Sequence, residues 1–187
     1  MKIGILDIQG SVEEHFSALS RLEVEAILVK KNEDLSDLSG LIIPGGESTT
    51  LGKLLRKFKL RDAIIDRVRE GMAVWGTCAG AILLAKEVVG EEQADTLGLM
   101  NIVIERNAYG RQLDSFEGEV SFAGKRKVEA IFIRAPKIVR IGEGVEVLAR
   151  NGDEIVAARE GKIMVTTFHP ELTSDLSVHK YFVGIVK

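Results

Sequence analysis

Val74-Trp75-Gly76-Thr77-Cys78-Ala79-Gly80-Ala81 joins a short apolar run, residues 72–75, to an apolar helical pattern over residues 81–85. A strand that passes straight into a helix must turn sharply, and the small residues on both sides of Cys78 permit such a turn. The turn lifts its middle side chain to the carboxyl edge of a sheet. The helix that follows aims its free N–H groups at the sulfur and favours a thiolate. A free cysteine is otherwise a small buried hydrophobe. The stretch therefore predicts a strand–elbow–helix unit with Cys78 as its nucleophile.

Working outward, the same alternation repeats. Residues 41–43 form an apolar run that enters Pro44-Gly45-Gly46-Glu47-Ser48-Thr49-Thr50, and helical spacing resumes at Leu51, Leu54, Leu55 and Phe58. It continues over Ile64, Ile65 and Val68. Residues 3–8 read as a strand ending at Gln9-Gly10. The helix after it is capped by Ser11 with Glu14 three residues on, a capping box, and shows Phe16, Leu19 and Leu22 as its apolar stripe. Residues 25–29 give another strand. Strands alternating with helices over short connections predict an α/β fold, a mostly parallel central sheet with helices on both faces. Ligands in such sheets sit beyond the carboxyl ends of the strands. Gln9-Gly10, Pro44-Gly45-Gly46 and Thr77-Cys78 all belong at that edge.

The second half is β-rich, with runs at residues 99–105, 118–122, 128–133, 145–149, 155–158 and 163–168. Asn151-Gly152 between two of them signals a hairpin. These strands are expected to extend the sheet in a mixed or antiparallel way. A helix from about residue 174 closes the chain, with Tyr181, Phe182 and Ile185 as its apolar side. No repeat or linker interrupts the sequence, so residues 1–187 read as one domain.

A net charge of −3 excludes the electrostatic footprint of a nucleic-acid binder or a basic membrane face. A single cysteine forbids an internal disulfide and disfavours structural zinc, and no metal or cofactor is expected. The first residues carry neither a leader pattern nor a span, which points to the cytoplasm.

A thiol nucleophile needs a base, and there are three histidines. His15 falls in the first helix, where a polar-face or capping role is expected, and His179 is expected to be solvated. His169 ends the run Met164-Val165-Thr166-Thr167-Phe168 and is followed by Pro170-Glu171. In an extended segment Glu171 points the same way as His169 and can orient the imidazole. Donors for an oxyanion are the amide of Ala79 and the Gly45-Gly46 backbone. No P-loop pattern is present. Arg106 and Arg134 each follow a strand, where an arginine can hold a carboxylate by a two-pronged contact.

Pro44-Gly45-Gly46-Glu47-Ser48, Gly76-Thr77-Cys78-Ala79-Gly80 and Phe168-His169-Pro170-Glu171 together resemble the triad, or class I, glutamine amidotransferases. The segment from Arg106-Asn107-Ala108-Tyr109-Gly110 to Phe116-Glu117, with Phe132-Ile133-Arg134-Ala135-Pro136, is similar to the glutaminase subunits of pyridoxal 5′-phosphate synthases. The resemblance covers essentially the whole chain. It implies a three-layer α/β sandwich and hydrolysis of L-glutamine to glutamate and ammonia, with the ammonia passed to a synthase subunit. It implies Cys78, His169 and Glu171 as the triad, and Gly46, Glu47, Ser48, Arg106, Ile133 and Arg134 as glutamine-binding positions. Gln9 and Gly10 match a loop near the oxyanion site that the partner influences. Asp7 and Trp75 stand where that family more often has alanine and phenylalanine. Two other readings fit the shared motifs. One is the subunit of another pathway or a free-standing γ-glutamyl hydrolase; the other is a non-enzymatic cysteine-elbow sensor or binding module.

Overall fold

Strand β1 (Lys2–Leu6) sends Ile3 and Ile5 to one core and Leu6 to the other, so a layer must lie on each of its faces. The computed structural model describes residues 1–106, 115–124 and 126–187. After β1 come α1 (Val12–Arg21), β2 (Glu25–Val29), β3 (Gly40–Ile43), α2 (Ser48–Lys57), α3 (Leu60–Arg69), β4 (Ala73–Thr77) and α4 (Ala79–Leu84). The second half contributes β5 (Ala85–Val88), β6 (Met100–Glu105), β7 (Ser115–Phe122), β8 (Arg126–Ile133), β9 (Lys137–Ile141) and β10 (Glu146–Asn151). It ends with β11 (Glu154–Glu160), β12 (Ile163–Thr166) and α5 (Ser177–Val186).

The central sheet has ten strands in the order β2-β1-β3-β4-β12-β11-β9-β6-β5, with β10 paired to β11. The β2-β1-β3-β4-β12 stretch is parallel throughout; β11 runs antiparallel to β12, β10 and β9, and β6 to β9. Helices α2, α3 and α4 cover one face with Leu51, Leu55, Ile64 and Ile82, and α1 and α5 cover the other with Leu19 and Phe182. Trp75, on β4, is fully buried under that second layer. Among the described residues no helix is long and apolar enough to cross a membrane.

Several expectations need correcting. β7 and β8 do not extend the sheet; they form a separate two-stranded ribbon. The ribbon buries one face, with Val120, Phe122, Val128 and Phe132 packed into the same core as α1 and α5. Ser11 makes no side-chain cap on α1. Its backbone N–H is drawn instead to the Gly45 carbonyl at 3.2 Å, a contact between loops that sets its conformation. The buried face of α1 is Val12, His15, Ala18 and Leu19, and Phe16 is 41% exposed. Helix α5 starts at Ser177 and buries Val178, His179, Phe182 and Val186, while Tyr181 and Ile185 are half-buried. Ala85, expected at the end of the helix, opens β5 instead, and β9 has Ile138, Val139 and Ile141 between Pro136 and Gly142, a strand signal that the sequence reading passed over.

Candidate active site

Cys78 sits between β4 and α4 with φ 48° and ψ −102°, a conformation that costs a non-glycine residue energy unless its surroundings enforce it. The enforcement is visible. The Cys78 N–H donates to the Thr166 carbonyl at 2.8 Å, and its own carbonyl accepts from Ala81 and Ile82 at 3.1 and 3.3 Å. The flanking glycines let backbone meet backbone: a Cβ on Gly76 would strike the Gly80 carbonyl, and one on Gly80 the Ile43 carbonyl. The N-terminus of α4 is thereby pressed against β3 and β4. The thiol is buried but for 7% of the residue's surface, with Sγ 3.8 Å from the Ile133 carbonyl oxygen.

His169 leaves β12 toward the same point, anchored by its N–H to the Ile131 carbonyl at 2.8 Å. Pro170 then opens a single 3-10 turn, Pro170–Leu172, in place of the expected extended segment. The turn still brings Glu171 to His169, with Nδ1 donating to Oε1 at 2.7 Å. The donor is Nδ1 because an ionised carboxylate only accepts. Cys78 lies beside the ring, since a Cβ on Gly45 would touch both His169 and the Cys78 Cβ. Burial alone would push the His169 pKa down; the neighbouring Cys78 and Glu171 side chains outweigh it and raise it to about 10. For Glu171, burial favours the neutral acid, but the neighbouring His15 and His169 rings hold its pKa down, at about 2.

The loop after β3 completes the cluster. Gly45 lies so close that a Cβ there would run into His169 and come within 3.4 Å of the Cys78 Cβ. Its carbonyl is taken by Ser11, and the Glu47 N–H donates to Gln9 Oε1 at 3.0 Å, so Gln9-Gly10 and Gly45-Gly46 are tied together. The Glu47 carboxylate caps α2, accepting from the N–H groups of Thr49 at 3.1 Å and Thr50 at 2.7 Å and from the Thr50 hydroxyl. Those bonds, the Thr50 hydroxyl foremost, depress its pKa to about 2. Arg106 Nη1 donates to Ser48 Oγ and Thr49 Oγ1, both at 2.9 Å, and its Nε lies 3.0 Å from Glu91 Oε1. The Ala79 amide is in the first turn of α4, where N–H groups have no partner within the helix.

These residues line one cavity of about 790 Å³. Gln9, Gly10, Gly45, Gly46, Glu47, Ser48, Cys78, Ala79, Arg106, Ile133, Arg134 and His169 all face it, and Glu171 stands behind His169. Every site residue named from the sequence is therefore in one place. Residues 107–114 lie outside the described residues. Asp7 turns to Lys30 at 3.0 Å.

Sequence reasoning missed the layer beneath the triad. His15 and His179 are both fully buried, where a polar-face and a solvated histidine were expected. His15 Nδ1 lies 3.0 Å from His179 Nε2, and His15 Nε2 lies 3.4 Å from Thr77 Oγ1 and 3.6 Å from Glu171 Oε2. The signal was positional. His15 stands three residues after Val12 and four before Leu19, and His179 three before Phe182, so both occupy core positions of their helices.

The sequence profile of the SNO glutamine amidotransferase family matches residues 5–187. A pyridoxal 5′-phosphate synthase subunit PdxT from Thermus thermophilus is 51% identical over 184 residues, covering 98% of this chain and 96% of that one. The PdxT of Pseudothermotoga lettingae is 53% identical over 183 residues, covering 97% and 94%. A solved glutamine amidotransferase structure superposes with a TM-score of 0.95 at 50% identity and 98% coverage of both chains. A putative GMP synthase component from Thermoplasma acidophilum, 17% identical, shares the fold with a TM-score of 0.72, covering 100% of this chain and 94% of the other.

Proposed function

The chain belongs to the SNO glutamine amidotransferase family, and from that premise we propose that it hydrolyses L-glutamine to L-glutamate and ammonia. The ammonia goes, in the cytoplasm, to a synthase subunit that builds pyridoxal 5′-phosphate, the assembly for which its half-identical relatives are named. The observation that carries the chemistry is the line Cys78–His169–Glu171: the elbow cysteine and the histidine face one cavity across Gly45, and the histidine is bonded to the glutamate at 2.7 Å.

Each step follows from that line. The sulfur of Cys78 attacks the side-chain amide carbon of glutamine, and the carbonyl π electrons move onto oxygen. The Ala79 amide and a Gly45-Gly46 amide receive that oxyanion. His169, protonated because its pKa is held near 10, gives its proton to the departing nitrogen, the C–N bond breaks and ammonia leaves. A γ-glutamyl thioester remains on Cys78. His169 then takes a proton from water, hydroxide adds to the thioester, and the C–S bond breaks to release glutamate. Glu171 holds the ring by Nδ1 throughout, leaving the opposite nitrogen for the transfers.

Arg106 takes the α-carboxylate of glutamine, a reading supported by its bonds to Ser48 and Thr49 on the cavity wall. Ile133 and Arg134 close the opposite wall. Glu47 contributes its backbone, since its carboxylate is spent on the cap of α2. Docking of the synthase at Gln9-Gly10 acts on the oxyanion loop through the bonds Gln9–Glu47 and Ser11–Gly45.

The test is glutamine hydrolysis by the wild type and Cys78→Ala, each with and without the synthase subunit, together with labelling by a diazoketone glutamine analogue. The wild type is expected to turn over faster with the synthase and to be labelled at Cys78. The variant is expected to bind the synthase but neither hydrolyse nor be labelled. Substantial hydrolysis by Cys78→Ala would sink the triad, and equal wild-type turnover with and without the synthase would sink the coupling.

A further inference from the structure

The triad's carboxylate has two oxygens, and the chemistry above uses one. Glu171 Oε1 accepts from His169, while Oε2 is buried with no hydrogen-bond partner among the described residues, and His15 Nε2 stands 3.6 Å from it. A buried ionised carboxylate with one oxygen undirected is free to rotate, and its rotation would carry the His169 bond with it. We propose that His15, pinned in turn by His179, is a positioning residue that fixes Glu171 by its second oxygen and so keeps the His169 ring aligned on Cys78. The inference rests on the glutaminase reading and deepens it.

The proton inventory favours one arrangement. Burial holds both histidines neutral at ordinary pH, with the pKa of His15 lowered and that of His179 lowered to about 3. Each ring then has one donor and one acceptor. If His15 carries its proton on Nε2, it donates toward Glu171 Oε2 and Thr77 Oγ1, and its Nδ1 accepts from His179 Nε2–H at 3.0 Å. The atom left over is His179 Nδ1 as a bare acceptor, and that atom is indeed buried without a partner among the described residues. The opposite tautomers would set a lone pair of His15 against the carboxylate and bury an unpaired N–H on His179, which is the costlier omission.

The ring planes are fixed as well. His15 meets Trp75 edge to face at 5.4 Å and 83°, and Trp75 meets His179 at 4.9 Å and 78°. Helices α1 and α5 thus grip the triad from below through β4, outside the substrate cavity. A separation of 3.6 Å is long for a hydrogen bond, and such contacts commonly tighten when substrate binds.

The experiment compares His15→Leu, which fills the site without polar atoms, with His15→Gln, whose amide can both donate to Glu171 and accept from His179. Two quantities are read: kcat and KM for glutamine in the complete synthase complex, and the far-downfield His169 Nδ1–H proton resonance in the labelled protein. His15→Leu is expected to lose roughly tenfold to a hundredfold in kcat, the scale of losing a partner that orients a site residue, with KM little changed. Its downfield resonance should move or vanish, and His15→Gln should recover most of both. Wild-type kcat with an unmoved resonance in His15→Leu would overturn the proposal, as would a folded His15→Gln no better than His15→Leu. Should His15→Leu fail to fold, His179→Leu serves: it frees His15, and an unshifted resonance with wild-type kcat there would equally overturn it. A wild type without hydrolysis or labelling would instead refute the glutaminase reading, while the resonance comparison would still decide whether His15 positions Glu171.

Discussion

At the scale of single residues, the site combines one strained backbone and one buried charge, each held by several bonds. Cys78 keeps φ at 48° because Thr166, Ala81 and Ile82 all bond its peptide groups. Glu171 stays ionised with a pKa of about 2 although it is buried, and in return it keeps His169 charged. Glu171→Gln tests that exchange. The amide cannot stabilise the imidazolium and permits the wrong tautomer, so kcat is expected to fall by about 10³–10⁴-fold, the scale of amidating an orienting carboxylate in a hydrolytic triad. The sign of the pH effect follows from the shift. Protonated His169 is needed for ammonia to leave, so wild-type kcat/KM should fall as pH rises through about 10. In Glu171→Gln that alkaline limb should move to lower pH, because a stabilising charge has gone. An unmoved limb would show that Glu171 does not set the proton on His169.

At the scale of elements, β3–α2 shows how a helix start can serve the site and stability together. Glu47 satisfies two of the free N–H groups of α2, leaving Ser48 and Thr49 to hold Arg106. Glu47→Ala should cost about 1 kcal/mol, the usual loss for an N-cap, read as a lower urea midpoint at unchanged slope. A midpoint within error of the wild type would mean that water replaces the cap at no cost. The three strand–loop–helix units of the first half were legible in the sequence because parallel strands buried on both faces read as unbroken apolar runs. Ile3-Gly4-Ile5-Leu6, Leu41-Ile42-Ile43 and Ala73-Val74-Trp75 are of this kind. The triad was legible for a related reason: an elbow and a His-Pro-Glu turn are local and constrain their own neighbourhoods. What escaped depends on distant partners. Ala85-Lys86-Glu87-Val88 becomes β5 only through pairing with β6. Gly118-Glu119-Val120-Ser121-Phe122 alternates like a sheet strand, yet it joins a ribbon whose apolar face packs into the core it shares with α5, where Phe122 meets Tyr181 edge to face at 5.2 Å. His15 and His179 defeated sequence reasoning since a polar residue type stood at a core position, and only the meeting of α1, β4 and α5 makes that position tolerable.

At the scale of the whole molecule, those two histidines make stability depend on pH in a window where the other buried groups are silent. His15 and His179 are held neutral in the fold, with pKa values below the 6.5 of the unfolded chain. A base with a depressed folded pKa contributes stability above its unfolded value and loses it as pH falls toward its folded one. Between pH 6 and 5 the unfolded chain therefore takes up more protons on these two rings than the fold does. His169 is silent there, because with a pKa of about 10 it is protonated in the fold, and the unfolded ring is largely protonated too. Glu171, at about 2 in the fold, enters chiefly below the 4.5 of an unfolded glutamate. His179, neutral in the fold throughout, should then withdraw about 1 kcal/mol over that single pH unit, and His15 adds to the drop in the same direction. Trp75, the sole tryptophan, lies edge-on to both rings and reports the transition by its fluorescence. His179→Leu removes that ring and should lessen the drop by about 1 kcal/mol, whatever it does to stability at pH 8. A wild type equally stable at pH 6 and 5 would mean that the two rings charge within the fold, and the three-layer packing of α1 and α5 on β4 would then have to accommodate an imidazolium beside Trp75.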